Sequence, residues 1–273
     1  MEERLRILFV ADIFGSAGRS VIADLWPELR ERTAPDFAIA NCENAAGGFG
    51  FTPAIAEDLF RQGFDVLTGG NHSWDRKESL SYLEMEPRVL RPANYPEGAP
   101  GRGWGIYRSK KGKRVAVLNL MGRVFMDSCD CPFQAATAIL PDLERETPLI
   151  FVDMHAETTS EKTAMGYHLD GRVSAVVGTH THVQTADERI LSKGTAYITD
   201  AGMTGPHDSV IGVKSELILR RFLTKLPVRF EASKKDPRLS GVLVDVDGES
   251  GQALHVERIH LPGPSGRGGG GNR

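Results

Sequence analysis

The sequence predicts a single α/β domain, and two observations predict it. Short apolar runs are repeatedly followed by a cluster of polar residues and then by a segment with helical spacing of apolar residues, which is the pattern of strand, loop and helix. The chain has 273 residues, of which 40% are hydrophobic and 25% charged, enough to bury one large core. Residues 1–262 are expected to form this domain, and the glycine-rich segment 263–273 is expected to be a disordered tail.

Five apolar runs predict buried strands, at residues 7–11, 37–40, 64–68, 149–152 and 173–177. Helical spacing follows the first three, and Thr52-Pro53 supplies an N-cap and a proline at the first position of the second helix. The pair Gly69-Gly70 after the third run allows close backbone approach and unusual φ values. If the strands are parallel, the polar clusters that follow them share one sheet edge, where α/β proteins place their chemistry.

Weaker patterns predict additional β structure. Residues 105–108 and 115–118 predict a hairpin whose basic tip is a solvated turn. Further strands are expected at residues 196–200, 212–213, 217–219, 242–244 and 254–256.

Composition limits the classes of function. The formal net charge of -3 provides no global basic field, so non-specific binding to nucleic acid or to an anionic membrane is not indicated. The first apolar run is too short for a signal-peptide core, and no segment approaches the ~20 apolar residues of a membrane span, so a cytoplasmic protein is expected. Cys42, Cys129 and Cys131 are expected to be reduced thiols, with Cys42 a small buried residue.

The stretch Gly178-Thr179-His180-Thr181-His182, directly after the fifth run, is the most informative motif. In an extended backbone, residues i and i+2 face the same side roughly 6.6 Å apart, at about 3.3 Å rise per residue. Both imidazoles could then reach a metal ion. Two nearby histidines are also found as hydrogen-bonded loop residues. The motif therefore indicates a metal site only in combination with the polar residues at the other strand ends.

Polar candidates stand at all five strand ends: Asp12, Glu43, Asn44, Asn71, His155, His180 and His182. They are too many for one tetrahedral zinc ion but suit two five- or six-coordinate ions that share a carboxylate, and the mixture of imidazole and oxygen donors favours iron or manganese. Singly, Asp12 could cap a turn, Glu43 could form a surface salt bridge, His155 could be a loop histidine, and the asparagines could be turn residues. Their joint occurrence favours a metal site.

This pattern resembles the calcineurin-like metallophosphoesterase superfamily and, more narrowly, its YmdB-like branch of bacterial phosphodiesterases that act on 2',3'-cyclic nucleotides. The resemblance covers nearly the whole chain to about residue 260 and includes the stretches 203–206 and 209–212. It implies a sandwich of two mixed β-sheets flanked by helices, in αββα layers. Phe14 replaces a histidine of the wider superfamily and Glu43-Asn44 replaces its Gly-Asp pair, and the YmdB-like pattern shares both changes. Ser73 stands where many members have an acidic residue, which leaves the partner that orients His72 open.

The resemblance implies a role for each candidate. One metal would be held by Asp12, Glu43, Asn44 and His182, and the other by Glu43, Asn71, His155 and His180. Glu43 would bridge the two ions, which activate a bridging water for attack on phosphorus. His72 would transfer a proton to the departing oxygen, although it could instead be a structural loop histidine.

The implied substrate is a small phosphodiester, with 2',3'-cyclic nucleotides first. Metal-assisted amide hydrolysis is disfavoured, because amidohydrolase barrels carry their HxH pair near the first strand rather than the fifth. A metal-stabilised regulatory or RNA-binding protein with little catalysis is the alternative, but Arg220-Arg221 and Lys234-Lys235 lack interleaved aromatic residues, so charge does not support RNA as a partner. No membrane partner is expected, a homo-oligomer is a general expectation for enzymes of this size, and His207 could contact substrate or be a loop histidine.

Overall fold

Strands and helices alternate along the chain in the computed structural model, which describes residues 4–264. In chain order the elements are β1 (Arg4–Val10), α1 (Gly15–Thr33), β2 (Phe37–Asn41), α2 (Pro53–Gln62), β3 (Val66–Thr68), α3 (Lys77–Met85), β4 (Val89–Leu90), β5 (Trp104–Arg108), β6 (Arg114–Met121), α4 (Pro132–Glu146), β7 (Ile150–His155), α5 (Thr159–Leu169), β8 (Ala175–Thr179), β9 (Arg189–Ile190), β10 (Ala196–Ile198), β11 (Gly205–Pro206), α6 (Ser215–Thr224), β12 (Pro237–Asp247) and β13 (Ala253–Pro262). Of the expected tail, residues 265–273 lie outside the described residues.

The strands form two mixed sheets. In the first, β4, β3, β2 and β1 are parallel neighbours, β12 is antiparallel to β1, and β11 and β13 pair with β12. In the second, β6, β7, β8 and β10 are parallel, and the antiparallel strands β5 and β9 form the edges. Strands β5 and β6 form the hairpin predicted at residues 105–108 and 115–118.

Three layers of apolar contact give the αββα arrangement. One buried cluster lies between the first sheet and helices α1 to α3, a second lies between the sheets, and a third joins the second sheet to α4 and α5. Strand β1 shows why the runs are continuously apolar: Leu8 and Val10 face the helices, whereas Ile7 and Phe9 face the other sheet. The expected sandwich is confirmed.

Several local predictions hold. Thr52 caps α2, its hydroxyl accepting a hydrogen bond from the Ile55 amide at 3.3 Å, and Pro53 begins the helix. Cys42 is fully buried, and burial raises the pKa of its thiol. All three cysteines are free thiols. Within residues 4–264, no helix is both long enough and apolar enough to cross a membrane.

Two predictions of strands are wrong. Residues 217–219 belong to helix α6 rather than a strand, because the apolar residues continue at Phe222 and Leu223 with helical spacing and only Ile218 of the helix is buried. Val213 makes isolated bridges to Val210 and Ala232 but is not part of a strand.

The five polar clusters do not share one sheet edge, because β1 to β3 and β7 to β8 belong to different sheets whose carboxyl ends meet at one end of the sandwich.

Candidate metal centre

Side chains from both sheets meet where their parallel strands end. The structure brings the seven candidate residues to this end: Asp12 after β1, Glu43 and Asn44 after β2, Asn71 after β3, His155 at the end of β7, and His180 and His182 after β8. Short parallel strands followed by polar loops therefore place these residues as the sequence predicts.

One group of donor atoms surrounds Nε2 of His155. This nitrogen lies 3.1 Å from Glu43 Oε1, 3.0 Å from Asn71 Oδ1 and 3.0 Å from His180 Nδ1. The ligand atoms of Glu43, His155 and His180 all lie within 4.8 Å of one another. A ring nitrogen carries at most one proton and cannot satisfy three acceptors at once. Such convergence of lone pairs fits a cation.

A second group of donor atoms includes Glu43, Asn44, His182 and Asp12. Asn44 Nδ2 is 3.0 Å from Glu43 Oε1 and 3.2 Å from His182 Nε2, and His182 Nε2 is 3.5 Å from Asp12 Oδ2. The other carboxylate oxygen of Asp12 is buried and has no hydrogen-bond partner among the described residues. Because an unpaired buried carboxylate oxygen is costly, the second group also fits a cation. Glu43 takes part in both groups.

The pKa values in this cluster follow from burial and mutual contact. Burial opposes the charge on Glu43, but His155 and the His72 amide hold the pKa of Glu43 well below its usual range. Burial alone would lower the pKa of His155, but Glu43 and Asp12 raise it to about 9. Burial and the neighbouring His155 lower the pKa of His180 to about 3. A cation that binds His155 must displace its proton, so metal binding is expected to weaken as pH falls.

The histidine loop is not extended, which corrects the expected geometry. His180 has φ 97° and His182 has φ 65°, both in the left-handed region. Buried acceptors hold this loop: the His180 amide donates to Asp12 Oδ2 at 3.0 Å and the Thr181 amide donates to Asp200 Oδ2 at 3.1 Å. As a result, His180 faces the His155 group and His182 faces the Asp12 group.

Asp75 is the partner that orients His72. Its Oδ2 lies 2.8 Å from His72 Nδ1, while the imidazole and the Phe49 ring form a T-shaped contact with centroids 5.1 Å apart. The Ser73 hydroxyl instead donates to the Gly70 carbonyl at 2.8 Å and stabilises the turn. The sequence signal for Asp75 was its position three residues after His72, because a loop at a strand end brings such residues together.

Glu157 is a second residue that the candidate set lacked. Its Oε2 lies 3.1 Å from Nε2 of His180, the ring nitrogen opposite the one that faces His155. A carboxylate at this position fixes the tautomer, because it accepts from Nε2 and leaves the Nδ1 lone pair free for a metal. The available signal was the spacing His155-Ala156-Glu157 at the end of β7.

Gly70 shows why a glycine is required here. An added Cβ would lie 2.3 Å from Glu43 Oε2 and 2.4 Å from His155 Nε2, so any side chain would displace both groups. The expected close backbone approach is confirmed at this residue. The expected unusual φ is not, since neither Gly69 nor Gly70 has a positive φ.

A cavity of about 310 Å³ opens beside the cluster. Its polar lining includes Glu43, His72, His180 and His182, and much of the rest of its lining is apolar. The apolar residues are Phe14, Phe49, Ile211, Val213, Ile218 and Phe230. A lining of polar and apolar residues suits a ligand that combines an anionic group with a flat organic group.

His207 lies outside this cavity. It lines a neighbouring cleft of about 610 Å³, its Nε2 donates to the Met203 carbonyl at 3.1 Å, and its ring contacts His260 with centroids 5.2 Å apart. The two cavities share His182 and Ile211. His207 is therefore a hydrogen-bonded loop histidine outside the candidate centre.

Comparisons with known proteins agree with the geometry. The model of a family described as "YmdB-like protein" matches residues 8–259. A Bacillus subtilis protein named 2',3'-cyclic-nucleotide 2'-phosphodiesterase is 50% identical over 255 residues, which cover 93% of this chain and 96% of the relative.

Two solved structures are also similar. A hypothetical protein from Thermus thermophilus is 41% identical with a TM-score of 0.89, and the match covers 95% of this chain and 100% of that one. A phosphatase from Mycoplasma pneumoniae is 34% identical with a TM-score of 0.91, and the match covers 98% and 96% of the two chains.

Proposed function

The chain belongs to the YmdB-like family, and from this premise we propose that it is a metal-dependent phosphodiesterase for small phosphodiesters, with 2',3'-cyclic nucleotides as its substrates. The observation that carries the proposal is the convergence of Glu43, Asn71 and His180 on one nitrogen of His155. The activity named for the Bacillus subtilis relative supports the substrate class.

Two cations are proposed, with iron or manganese as the metal. Asp12, Glu43, Asn44 and His182 would hold one, and Glu43, Asn71, His155 and His180 would hold the other. When bound, the cations would lower the pKa of a water molecule for attack and neutralise charge on the phosphoryl oxygens. Asn44 would present its amide oxygen to the metal. This requires the side-chain amide to be turned by 180° from the orientation in which its nitrogen faces Glu43, and the two orientations occupy the same space.

The residues around the centre set up the reaction. The apolar part of the lining, with Phe49, excludes water and accommodates the nucleoside, while the polar part receives the cyclic phosphate. His72 lines the same cavity, and Asp75 holds its Nδ1 so that Nε2 can donate a proton to the departing oxygen.

Loss of His72 should affect substrates according to their leaving groups. In His72→Ala we expect kcat for 2',3'-cyclic AMP to fall ~10²- to 10⁴-fold, because an alkoxide must be protonated as it leaves. Hydrolysis of bis-p-nitrophenyl phosphate should fall much less, since p-nitrophenolate departs without a proton. Asp75→Asn should give a smaller loss with the same preference. His168→Ala is the control, because His168 pairs with Thr137 on an exposed face. Equal losses on both substrates would mean that His72 is not the proton donor.

A substrate panel tests the reaction class. The purified protein, loaded with manganese, is offered 2',3'-cyclic AMP, bis-p-nitrophenyl phosphate and a cyclic amide. We expect turnover of the two diesters and none of the amide. Turnover of the amide alone would replace the proposal with an amidohydrolase. Metal-independent RNA binding without hydrolysis of any of the three would favour the regulatory alternative.

A further inference from the structure

A buried carboxylate lies between the two sheets beneath the candidate centre. Asp153 on β7 has no solvent exposure, and its side chain accepts hydrogen bonds from groups in both sheets. Thr68 and Asn41 of the first sheet donate to Oδ2, the latter at 3.1 Å, and Thr179 of the second sheet donates to Oδ1 at 2.6 Å. A buried carboxylate is costly unless it is hydrogen-bonded, and these donors from both sheets supply its partners.

The contact through Thr179 reaches His155. The hydroxyl of Thr179 lies 2.9 Å from His155 Nδ1 and 2.6 Å from Asp153 Oδ1. The ionised carboxylate only accepts, so the hydroxyl donates its proton to Asp153 and must accept from His155. Nδ1 of His155 then carries a hydrogen, so Nε2, which faces Glu43, Asn71 and His180, is the nitrogen that would bind a cation once its proton is displaced.

The contact through Asn41 reaches Glu43. Asn41 Nδ2 donates to Asp153 Oδ2 at 3.1 Å and to the Gly69 carbonyl at 3.1 Å, while Asn41 Oδ1 accepts from the Glu43 amide at 3.1 Å. These partners fix the amide orientation, because its nitrogen side faces two acceptors and its oxygen side faces an N–H donor. One carboxylate therefore connects to two residues of the candidate centre by separate routes.

We infer that Asp153, acting through the Thr179 hydroxyl, is a positioning residue that fixes the tautomer and orientation of His155 for metal binding. The inference rests on the proposed function, since it concerns a ligand of the proposed centre. Hydrogen bonds behind a metal-bound histidine raise its basicity and hold its ring, and their loss costs ~10- to 100-fold in metal affinity or activity.

Thr179→Val and Thr68→Val form a matched pair for the test. Each replaces a buried threonine with a residue of the same shape and removes one hydroxyl that donates a hydrogen bond to Asp153. Of the two threonines, only Thr179 contacts His155. Mn²⁺ titration of the metal-stripped proteins is measured by calorimetry, and unfolding by urea denaturation. We expect Thr179→Val to weaken one of two Mn²⁺ sites ~10- to 100-fold, whereas Thr68→Val binds both ions like the wild type although it loses stability. Thr179→Ser should restore the affinity.

The outcomes separate the two proposals. Wild-type affinity in Thr179→Val, or equal weakening in Thr68→Val, overturns the inference and leaves the phosphodiesterase intact if the wild type binds two ions and hydrolyses 2',3'-cyclic AMP. A wild type that binds no Mn²⁺ overturns both. If Thr179→Val does not fold, Thr179→Ala is compared with Thr68→Ala under the same criteria.

Discussion

Glu43→Gln is expected to lower kcat/KM for 2',3'-cyclic AMP by ~10³-fold or more. The cations are worth several kcal/mol of transition-state stabilisation, and each 1.36 kcal/mol is tenfold in rate. Glu43 is 1% exposed, and its Oε1 lies 3.1 Å from His155 Nε2 and 3.0 Å from Asn44 Nδ2. Glutamine retains the shape, but it loses the charge shared by both groups of donor atoms. The measurement is steady-state kinetics together with metal content.

The control for this prediction is Glu157→Gln. This variant also loses a charge near the centre, but Glu157 pairs with the far nitrogen of His180 and its side chain is 48% exposed. A loss of activity clearly smaller than that of Glu43→Gln is expected. If Glu43→Gln retains wild-type turnover with both metals bound, the assignment of the centre is wrong.

Lys162→Met is expected to lower the free energy of unfolding by ~3–5 kcal/mol, the cost of leaving a buried charge unpaired. Lys162 Nζ donates to Asp200 Oδ2 at 2.7 Å and to the Thr179 carbonyl at 3.2 Å, and both charged side chains are at most 1% exposed. Asp200 Oδ2 also accepts from the Thr181 amide, so the variant should loosen the histidine loop as well. Urea denaturation at pH 7 measures the loss.

The pH dependence of this variant identifies the cause. Burial raises the pKa of Asp200, and Lys162 opposes that rise. Without Lys162, the folded state binds a proton that the unfolded state, with an ordinary Asp pKa of about 3.9, has released. The stability of Lys162→Met should therefore increase as pH falls from 7 towards 5, more than that of the wild type.

Two further variants check the explanation. Lys162→Met combined with Asp200→Asn should recover part of the lost stability, because the charge is removed with its partner. Lys214→Met, which breaks an exposed pair with Glu231, should change stability little. A pH-independent deficit, or a loss equal to that of Lys214→Met, would contradict the role assigned to the buried pair.

The strands and the residues at their ends could be predicted because both signals are local. A run such as 149–152 is apolar at every position since both faces of β7 are buried, and His155 follows at the point where the strand reaches the polar end of the sandwich. Strand order is not a local property. The division of five similar strands between two sheets depends on pairings such as β1 with β12, which are more than 200 residues apart. The spacing of apolar residues within a strand does not indicate which strand it pairs with.

The sequence predicts which residues come together at the site better than it predicts their geometry. The left-handed φ of His180 and His182 depends on acceptors supplied by Asp12 and Asp200, which lie on other elements of the fold. Asp75 and Glu157 stand within three residues of His72 and His155, but ordinary polar loop residues have the same spacing. Residues 217–219 favour a strand when taken alone, because three adjacent apolar residues fit either period, whereas the next turn shows the helical spacing of α6.

Metal-dependent turnover of the wild-type protein tests the central claim most directly. The protein is stripped with a chelator, titrated with manganese and assayed at each step for hydrolysis of 2',3'-cyclic AMP, while bound metal is counted by inductively coupled plasma mass spectrometry. We predict no turnover without metal and activity that saturates at about two bound ions per chain. Turnover that is independent of metal, or a fully loaded protein that hydrolyses no phosphodiester, would contradict the proposed dinuclear phosphodiesterase.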